Sequence, residues 1–393
     1  MLHIQGEVAI AESKLISYDE VLQAALENSP FVAEIKAQSE KIRAEGVQLK
    51  TLNNPELSGE VRPYVSQHNN LDEEYEIGLS QPLRLSSFGM RQRVGQLIEE
   101  SASIDKKLAL IEFSGNLRLI YLKAWALQEK EKFTKSLTSQ TKSLSDMVQR
   151  STSQGLFPAS ISKLFEAQIE KLSAELIGVS ADRKRAIAEL IKKTNSISKE
   201  QVLSALDLGP LPKEDSLSDT SLLPIVDAKR LRLKIATAQR ELSRLDSFPK
   251  FAPRIAFEHT SDGADRVNVG FQIEIPLFDR NQAERIKSDA DARASRSDIS
   301  SVESGKLQDE VSLILEAVKA SSEQAKKYKE KVIPALVAAL SAAEREFKAG
   351  QGNPQQVFQN LIELSSAQDS YLELVLKALS ERVELSIITG KEI

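Results

Sequence analysis

Few residues in this 393-residue chain are of a type that does chemistry, and their spacing brings none of them together. The histidines are His3, His68 and His259, in three separate segments, with no pair at helical spacing. They read as surface or wall residues rather than metal ligands. Met1, Met90 and Met147 are equally scattered and form no thioether ladder for soft metals. With no cysteine, disulfides, thiolate metal sites and cysteine nucleophiles are all excluded. In "DADAR", Asp289 and Asp291 stand two apart, a spacing that diverges on a helix, so they belong to a solvated face. No glycine-rich phosphate loop and no usable Ser/His/Asp arrangement occurs. These absences argue against an enzyme, and no cofactor or metal is implied.

Composition narrows the class further. Aromatic residues make up 5% and charged residues 28%, a balance typical of long helices packed through small side chains. The net charge of −5 argues against a nucleic-acid partner, which calls for a basic face. No run of about 18 apolar residues is present, so no helix is expected to span a bilayer. The opening "MLHIQGEVAIAESKLIS" lacks a basic start followed by an apolar core. It implies either a cytoplasmic protein or one whose signal segment has been removed.

The elements that organise the chain are written twice. "LSQPL" (79–83) resembles "IEIPL" (273–277), and Pro276 lies 276 − 82 = 194 residues after Pro82. Pro249 lies 249 − 55 = 194 residues after Pro55. "SQGLFP" (153–158) resembles "AGQGNP" (349–354), with Gly350 at 350 − 155 = 195 residues from Gly155. We read a tandem duplication: residues 1–208 form the first repeat and residues 209–393 the second, joined near "LGPLPKED" (208–215) and forming one elongated unit in space. Each repeat predicts a helix (18–52; 222–247), two strands (56–65 and 75–83; 253–260 and 267–277), a long helix (87–152; 283–348), a Gly/Pro turn and a returning helix (159–194; 355–389). The long helices predict a reach on the order of 100 Å at about 1.5 Å per residue. Asn281 would cap the second long helix, and Pro334 should bend it. The stripe Ile104, Leu108, Ile111, Gly115, Leu119, Leu122 and Ala126 predicts a nearly straight packing seam. The fold class is mainly α with a small β part, built as long antiparallel helical hairpins.

The strands alternate. Val269, Phe271, Ile273 and Ile275 oppose Asn268, Gly270, Gln272 and Glu274. Such strands suit either a membrane barrel wall or an amphipathic sheet covered by helices in a soluble, elongated scaffold. Four strands cannot close a barrel and would leave two unpaired edges. A membrane reading therefore requires oligomerisation, and three chains would give twelve strands.

Together with the repeat, "SYDEVLQAALENSP" (17–30), "NNPELSGEV" (53–61), "LSQPLRLSSFGMRQRV" (79–94) and "IPLFDRNQAERI" (275–286) resemble the TolC-like outer-membrane efflux proteins, most closely their heavy-metal (CzcC-like) branch. The resemblance implies a homotrimer with a 12-stranded β-barrel in outer-membrane lipid and an α-helical tunnel in the periplasm. It further implies partnership with a periplasmic adaptor and an inner-membrane pump of the RND type, and passive conduction of substrates, heavy-metal cations foremost. Pro82 and Pro276 would mark the barrel-to-tunnel junction, where proline ends strand pairing. The turns Gly155, Leu156, Phe157, Pro158 and Gly350, Gly352, Asn353, Pro354 would dock the adaptor. At the periplasmic entrance, where acids would be expected, this chain has Gln356 and Gln359, with Lys163 and Glu166 as first-repeat counterparts. Neutral glutamines would hold cations less strongly than carboxylates do.

Overall fold

The computed structural model describes residues 15–65, 71–195, 202–205 and 223–391. Its elements run β1 (Leu15–Ile16), α1 (Tyr18–Asn28), α2 (Pro30–Lys50), β2 (Glu56–Val65), β3 (Leu71–Ser80), α3 (Phe88–Ser153), α4 (Ala159–Thr194), β4 (Val202–Leu203), α5 (Pro224–Leu245), β5 (Lys250–His259), β6 (Asp265–Glu274), α6 (Gln282–Glu303), α7 (Lys306–Lys327), a π-turn (Tyr328–Val332), α8 (Ile333–Lys348) and α9 (Pro354–Thr389). His3, His68, Met1 and the expected joint at 208–215 lie outside the described residues.

Local chemistry explains where the helices begin and break. Ser17 opens α1 with a capping box: its Oγ accepts from the Glu20 N–H at 3.3 Å, and Glu20 Oε2 accepts from the Ser17 N–H at 2.8 Å. The expected single helix over 18–52 is two helices, because Pro30 disfavours a helical Ser29, which is extended at φ −73°, ψ 129°. The expected continuous helix over 283–348 is likewise broken. Gly305 sits at φ +85° between α6 and α7, after a run in which Ser300, Ser301 and Ser304 each bond a carbonyl three residues back. Pro334 is accommodated by the π-turn just before it, where Ile333 N–H donates to Tyr328 O. Asn281 is not the expected side-chain cap. It is left-handed at φ 57°, and its Nδ2 donates to Ser243 O at 3.0 Å.

Contacts divide the chain into two units, and each draws on both repeats. One takes its described residues from 1–35, 108–223 and 307–393, the other from 36–107 and 224–306.

The first unit is helical and has two apolar cores. One gathers Val21, Leu117, Tyr121, Leu190 and Leu379, the other Leu144, Val148, Phe165, Phe347 and Leu361. In the expected seam, Ile111, Gly115, Leu122 and Ala126 are buried. So are Leu117, Tyr121 and Ala124 on another side of α3, which is therefore a central helix here. Gly115 permits the approach of α9, since a Cβ there would stand 2.9 Å from Val383 Cγ1. Sequence reading missed the parallel pair β1·β4, which is only two residues long. The Tyr121 hydroxyl lies 2.8 Å from the carbonyls of both Ile16 and Ser204 and anchors this pair to α3. Burial raises the pKa of that hydroxyl, with partial relief from Ser204.

Between the two cores runs a polar layer. Lys130 Nζ is 2.9 Å from both Glu175 on α4 and Asp369 on α9. Glu131, 9% exposed, lies 2.5 Å from Arg183 and 2.7 Å from Lys135. Burial alone would raise the Glu131 carboxyl, but the Lys135 hydrogen bond and the Arg183 charge bring it below its ordinary value.

The second unit holds an antiparallel sheet in the order β2-β3-β5-β6. The strands extend over 71–80, 250–259 and 265–274 rather than 75–83, 253–260 and 267–277. Pairing starts before the apolar alternation does, because backbone hydrogen bonds and not side chains set strand ends. In the same unit α2 and α3 touch through Gly46 and Gly95, where a Cβ would meet the opposing carbonyl oxygen at 2.6 and 2.5 Å.

A depressed Glu131 carboxyl stabilises the fold above its unfolded pKa and stops doing so as the pH falls through its folded value. Thermal midpoints should therefore fall as the pH drops through the ordinary glutamate range and below it. Glu131→Gln should flatten that part of the profile, and an unchanged acid dependence would contradict this assignment.

Candidate functional site

Three surfaces hold the residues expected to function. In the first unit, both Gly/Pro turns form by the same hydrogen bonds. Gly155 at φ +75° donates to Thr152 O at 3.0 Å while Leu156 N–H donates to Ser151 O at 3.0 Å. Gly350 at φ +76° donates to Phe347 O at 3.0 Å while Gln351 N–H donates to Glu346 O at 3.0 Å. Each is a Schellman closure, which needs a left-handed residue, and glycine adopts that conformation without strain. A Cβ on Gly352 would lie 2.5 Å from Phe347 N, so that glycine is sterically required as well. Pro158 precedes α4, whereas Pro354 is the first residue of α9 after Asn353, whose side chain accepts from Gln355 N–H at 2.9 Å. Phe157 and Phe347 pack with ring centroids 6.0 Å apart, and Phe165 meets Phe358 at 5.4 Å. These contacts bring the two turns together at one end of the unit. Leu156 stays 65% exposed there.

Just beyond the turns, Gln356 and Gln359 are exposed and three apart on α9, hence on one face. Lys163 and Glu166 are exposed on α4 and pair with each other at 2.6 Å. The glutamines are thus an uncharged polar face and the first-repeat counterparts a self-neutralised one.

In the second unit, strand register aligns the apolar residues into rows that cross the whole sheet. Leu57 pairs with Leu79, Leu79 with Ile255, and Ile255 with Val269. They are 76%, 47%, 50% and 81% exposed. The opposite face is charged. Glu60, Glu76 and Glu258 form one cross-strand row ending at Arg266. Arg62 lies 2.9 Å from Glu60 and 3.7 Å from Glu258, and Arg254 pairs with Glu76. This row escaped sequence reading because it exists only once the register is known. His259 lies 2.7 Å from Asp265 and stacks on Tyr75 at 5.1 Å. Among the described residues no group of three His, Cys, Asp or Glu could hold a metal ion. No helix among them is long and apolar enough to cross a membrane.

At the foot of this sheet the two prolines behave differently. Pairing continues past Pro82: Gln81 N–H donates to Pro253 O at 3.1 Å and Leu83 N–H to Phe251 O at 2.8 Å. Pro82 therefore does not end pairing as expected, because its missing N–H falls between two that are used. On the other strand pairing has already ended at Glu274, two residues before Pro276. Leu277 N–H donates to Ile275 O at 3.0 Å, a tight turn that suits the fixed φ of proline.

Residues 224–391 match the family described as Outer membrane efflux protein. No curated protein matches the chain. Among solved structures it resembles CusC (TM-score 0.76, 15% identity, covering 95% of this chain and 92% of that one). It also resembles the outer membrane protein VceC from Vibrio cholerae (0.75, 14%, 96% and 97%). A third is the Campylobacter jejuni CmeC outer membrane channel (0.78, 13%, 96% and 86%). Identities this low speak for the fold alone, and that fold extends over both repeats. The second half of the chain thus matches the outer membrane efflux protein family model, and the whole chain shares the fold of these outer-membrane channels.

Proposed function

We propose that three copies of this chain close a 12-stranded barrel and form the exit duct of a tripartite efflux system. One observation carries this reading. The sheet leaves an apolar face exposed from β2 to β6, and among the described residues nothing pairs with the outer edge of β2 or of β6. An open edge in lipid leaves backbone groups unsatisfied at several kcal/mol each, and closure on identical neighbours removes the penalty. Pro82 and Pro276 then mark the passage from barrel to tunnel. Gly155, Leu156, Phe157 and Pro158, with Gly350, Gly352, Asn353 and Pro354, offer an adaptor two rigid turns side by side. An inner-membrane pump of the RND type would load the duct, which conducts passively.

Heavy-metal cations are the cargo this reading favours, on the sequence resemblance and on the charge of the sheet's polar face. There Glu56, Glu60, Glu74, Glu76, Glu258 and Glu274 outnumber Arg62, Lys250, Arg254 and Arg266. Such a face draws cations and repels anions. At the entrance, Gln356 and Gln359 narrow the opening by hydrogen bonding, with Lys163 and Glu166 beside them.

Val269→Arg puts a charge on the lipid-facing row at a cost of about 2–4 kcal/mol near the bilayer midplane. The variant should disappear from the outer-membrane fraction, and normal recovery there would discard the barrel. Replacing Gln356 and Gln359 with alanine should raise single-channel conductance in planar bilayers; conductance equal to that of the parent discards the entrance role. A strain lacking the protein should grow poorly on one or more heavy-metal salts, and unimpaired growth across the panel would exclude metal as cargo.

A further inference from the structure

Below the sheet, in the second unit, a cleft is lined by Lys50, Leu52, Pro82, Arg84, Phe88 and Arg91. Its charges do not cancel. Arg91 lies 2.5 Å and Arg84 3.7 Å from the same oxygen of Asp246, and Lys50 lies 2.7 Å from Glu99. Among the described residues, Lys50, Arg84 and Arg91 form ion pairs with Asp246 and Glu99 alone, three cations against two carboxylates. Arg84 Nε is shielded from solvent and has no hydrogen-bond partner. The enclosed part of the cleft is ≈ 30 Å³, room for one water-sized group such as a single oxygen atom. Two of its lining side chains are large, apolar and exposed, Leu52 at 54% and Phe88 at 49%, and Leu85, next to Arg84 in the chain, is 64% exposed.

The position of the cleft in the fold matters as much as its chemistry. Leu83, bridged to Phe251, is the last residue of its segment paired to the sheet. Arg84 is the next residue, so the cleft opens where the apolar face ends. A guanidinium recognises phosphate oxygens by charge and direction, and apolar side chains next to it accept acyl chains. Basic groups beside an apolar surface are the usual arrangement at the headgroup level of a bilayer.

We propose that this cleft binds the phosphate of a glycerophospholipid in the periplasmic leaflet, with a phosphate oxygen on the partly exposed Arg84 guanidinium and the acyl chains along Leu52, Leu85 and Phe88. The inference rests on the sheet's apolar face being the lipid-facing one. The competing occupant is a water held on the same guanidinium.

Native mass spectrometry of the intact assembly in detergent separates these occupants. The probes are phosphatidylglycerol, a diacylglycerol with the same chains, and inorganic phosphate. Phosphatidylglycerol should be retained in preference to diacylglycerol, and Arg84→Gln should weaken that retention roughly ten-fold, as expected for loss of a charge-assisted hydrogen bond. Arg150→Gln, an exposed change in the other unit, should leave retention unaltered. Equal retention of both lipids, undiminished retention in Arg84→Gln, or capture of inorganic phosphate without lipid preference each overturns the proposal. Should Arg84→Gln fail to assemble, Arg84→Lys decides. It keeps the charge but loses the planar donor, so retention equal to that of the parent also overturns the inference. An assembly that conducts ions yet retains no lipid refutes this inference alone and leaves the duct intact.

Discussion

The pairing of β3 with β5 is the constraint on which the sheet-bearing unit depends. It joins Tyr75–Ser80 to Arg254–His259, strands from different repeats. The hairpins β2·β3 and β5·β6 would each be a marginal two-stranded ribbon in isolation. Joined, they make a four-stranded sheet whose rows run unbroken from Leu57 to Val269 on one face and from Glu60 to Arg266 on the other. The charged row would repel itself if it were carboxylate alone, since like charges directly opposite destabilise a sheet. Arg62 and Arg254 are interleaved among the glutamates and relieve that repulsion.

The helical unit solves a different problem. A helical unit with two separate apolar cores needs something between them that holds helices together without a continuous apolar seam. Lys130, Glu175 and Asp369 do this by linking α3, α4 and α9 through one ammonium group, and Glu131 with Arg183 adds a second tie between α3 and α4. Such pairs offset their desolvation only with good geometry. In return they fix which helix turns face one another. The π-turn at Tyr328–Val332 falls between Ala325 in one core and Leu340 in the other. The helix containing Pro334 thus departs from regular geometry where it leaves one core for the next.

At the turn end, the repeats converge on one backbone solution with different side chains. Both closures use a left-handed glycine and the same pair of hydrogen bonds. The helices that leave the two turns then diverge: α4 carries a charged pair, Lys163 with Glu166, and α9 a neutral pair of glutamines. The backbone supplies rigidity while the first exposed side chains set the polarity of the end.

The sequence by itself determined the helices, the turns and the strand alternation, because these depend on neighbours within a few residues. Pro82 with Pro276 and Gly155 with Gly350 exposed the repeat, and residues 159–194 form a helix with the expected bounds. Gly305 and Pro334 break their helix by local means that helical periodicity does not display, whereas at Asn281 a distant contact made the choice. Asn281 donates to a carbonyl 38 positions away instead of capping its own helix. Only the tertiary structure decided which strands are neighbours, which carboxylates share a row, and that Arg84 and Arg91 share Asp246 as their partner. Arg91 and Asp246 are 155 positions apart in the chain. No periodicity encodes such a distance; the register of one sheet and the packing of a few helices do.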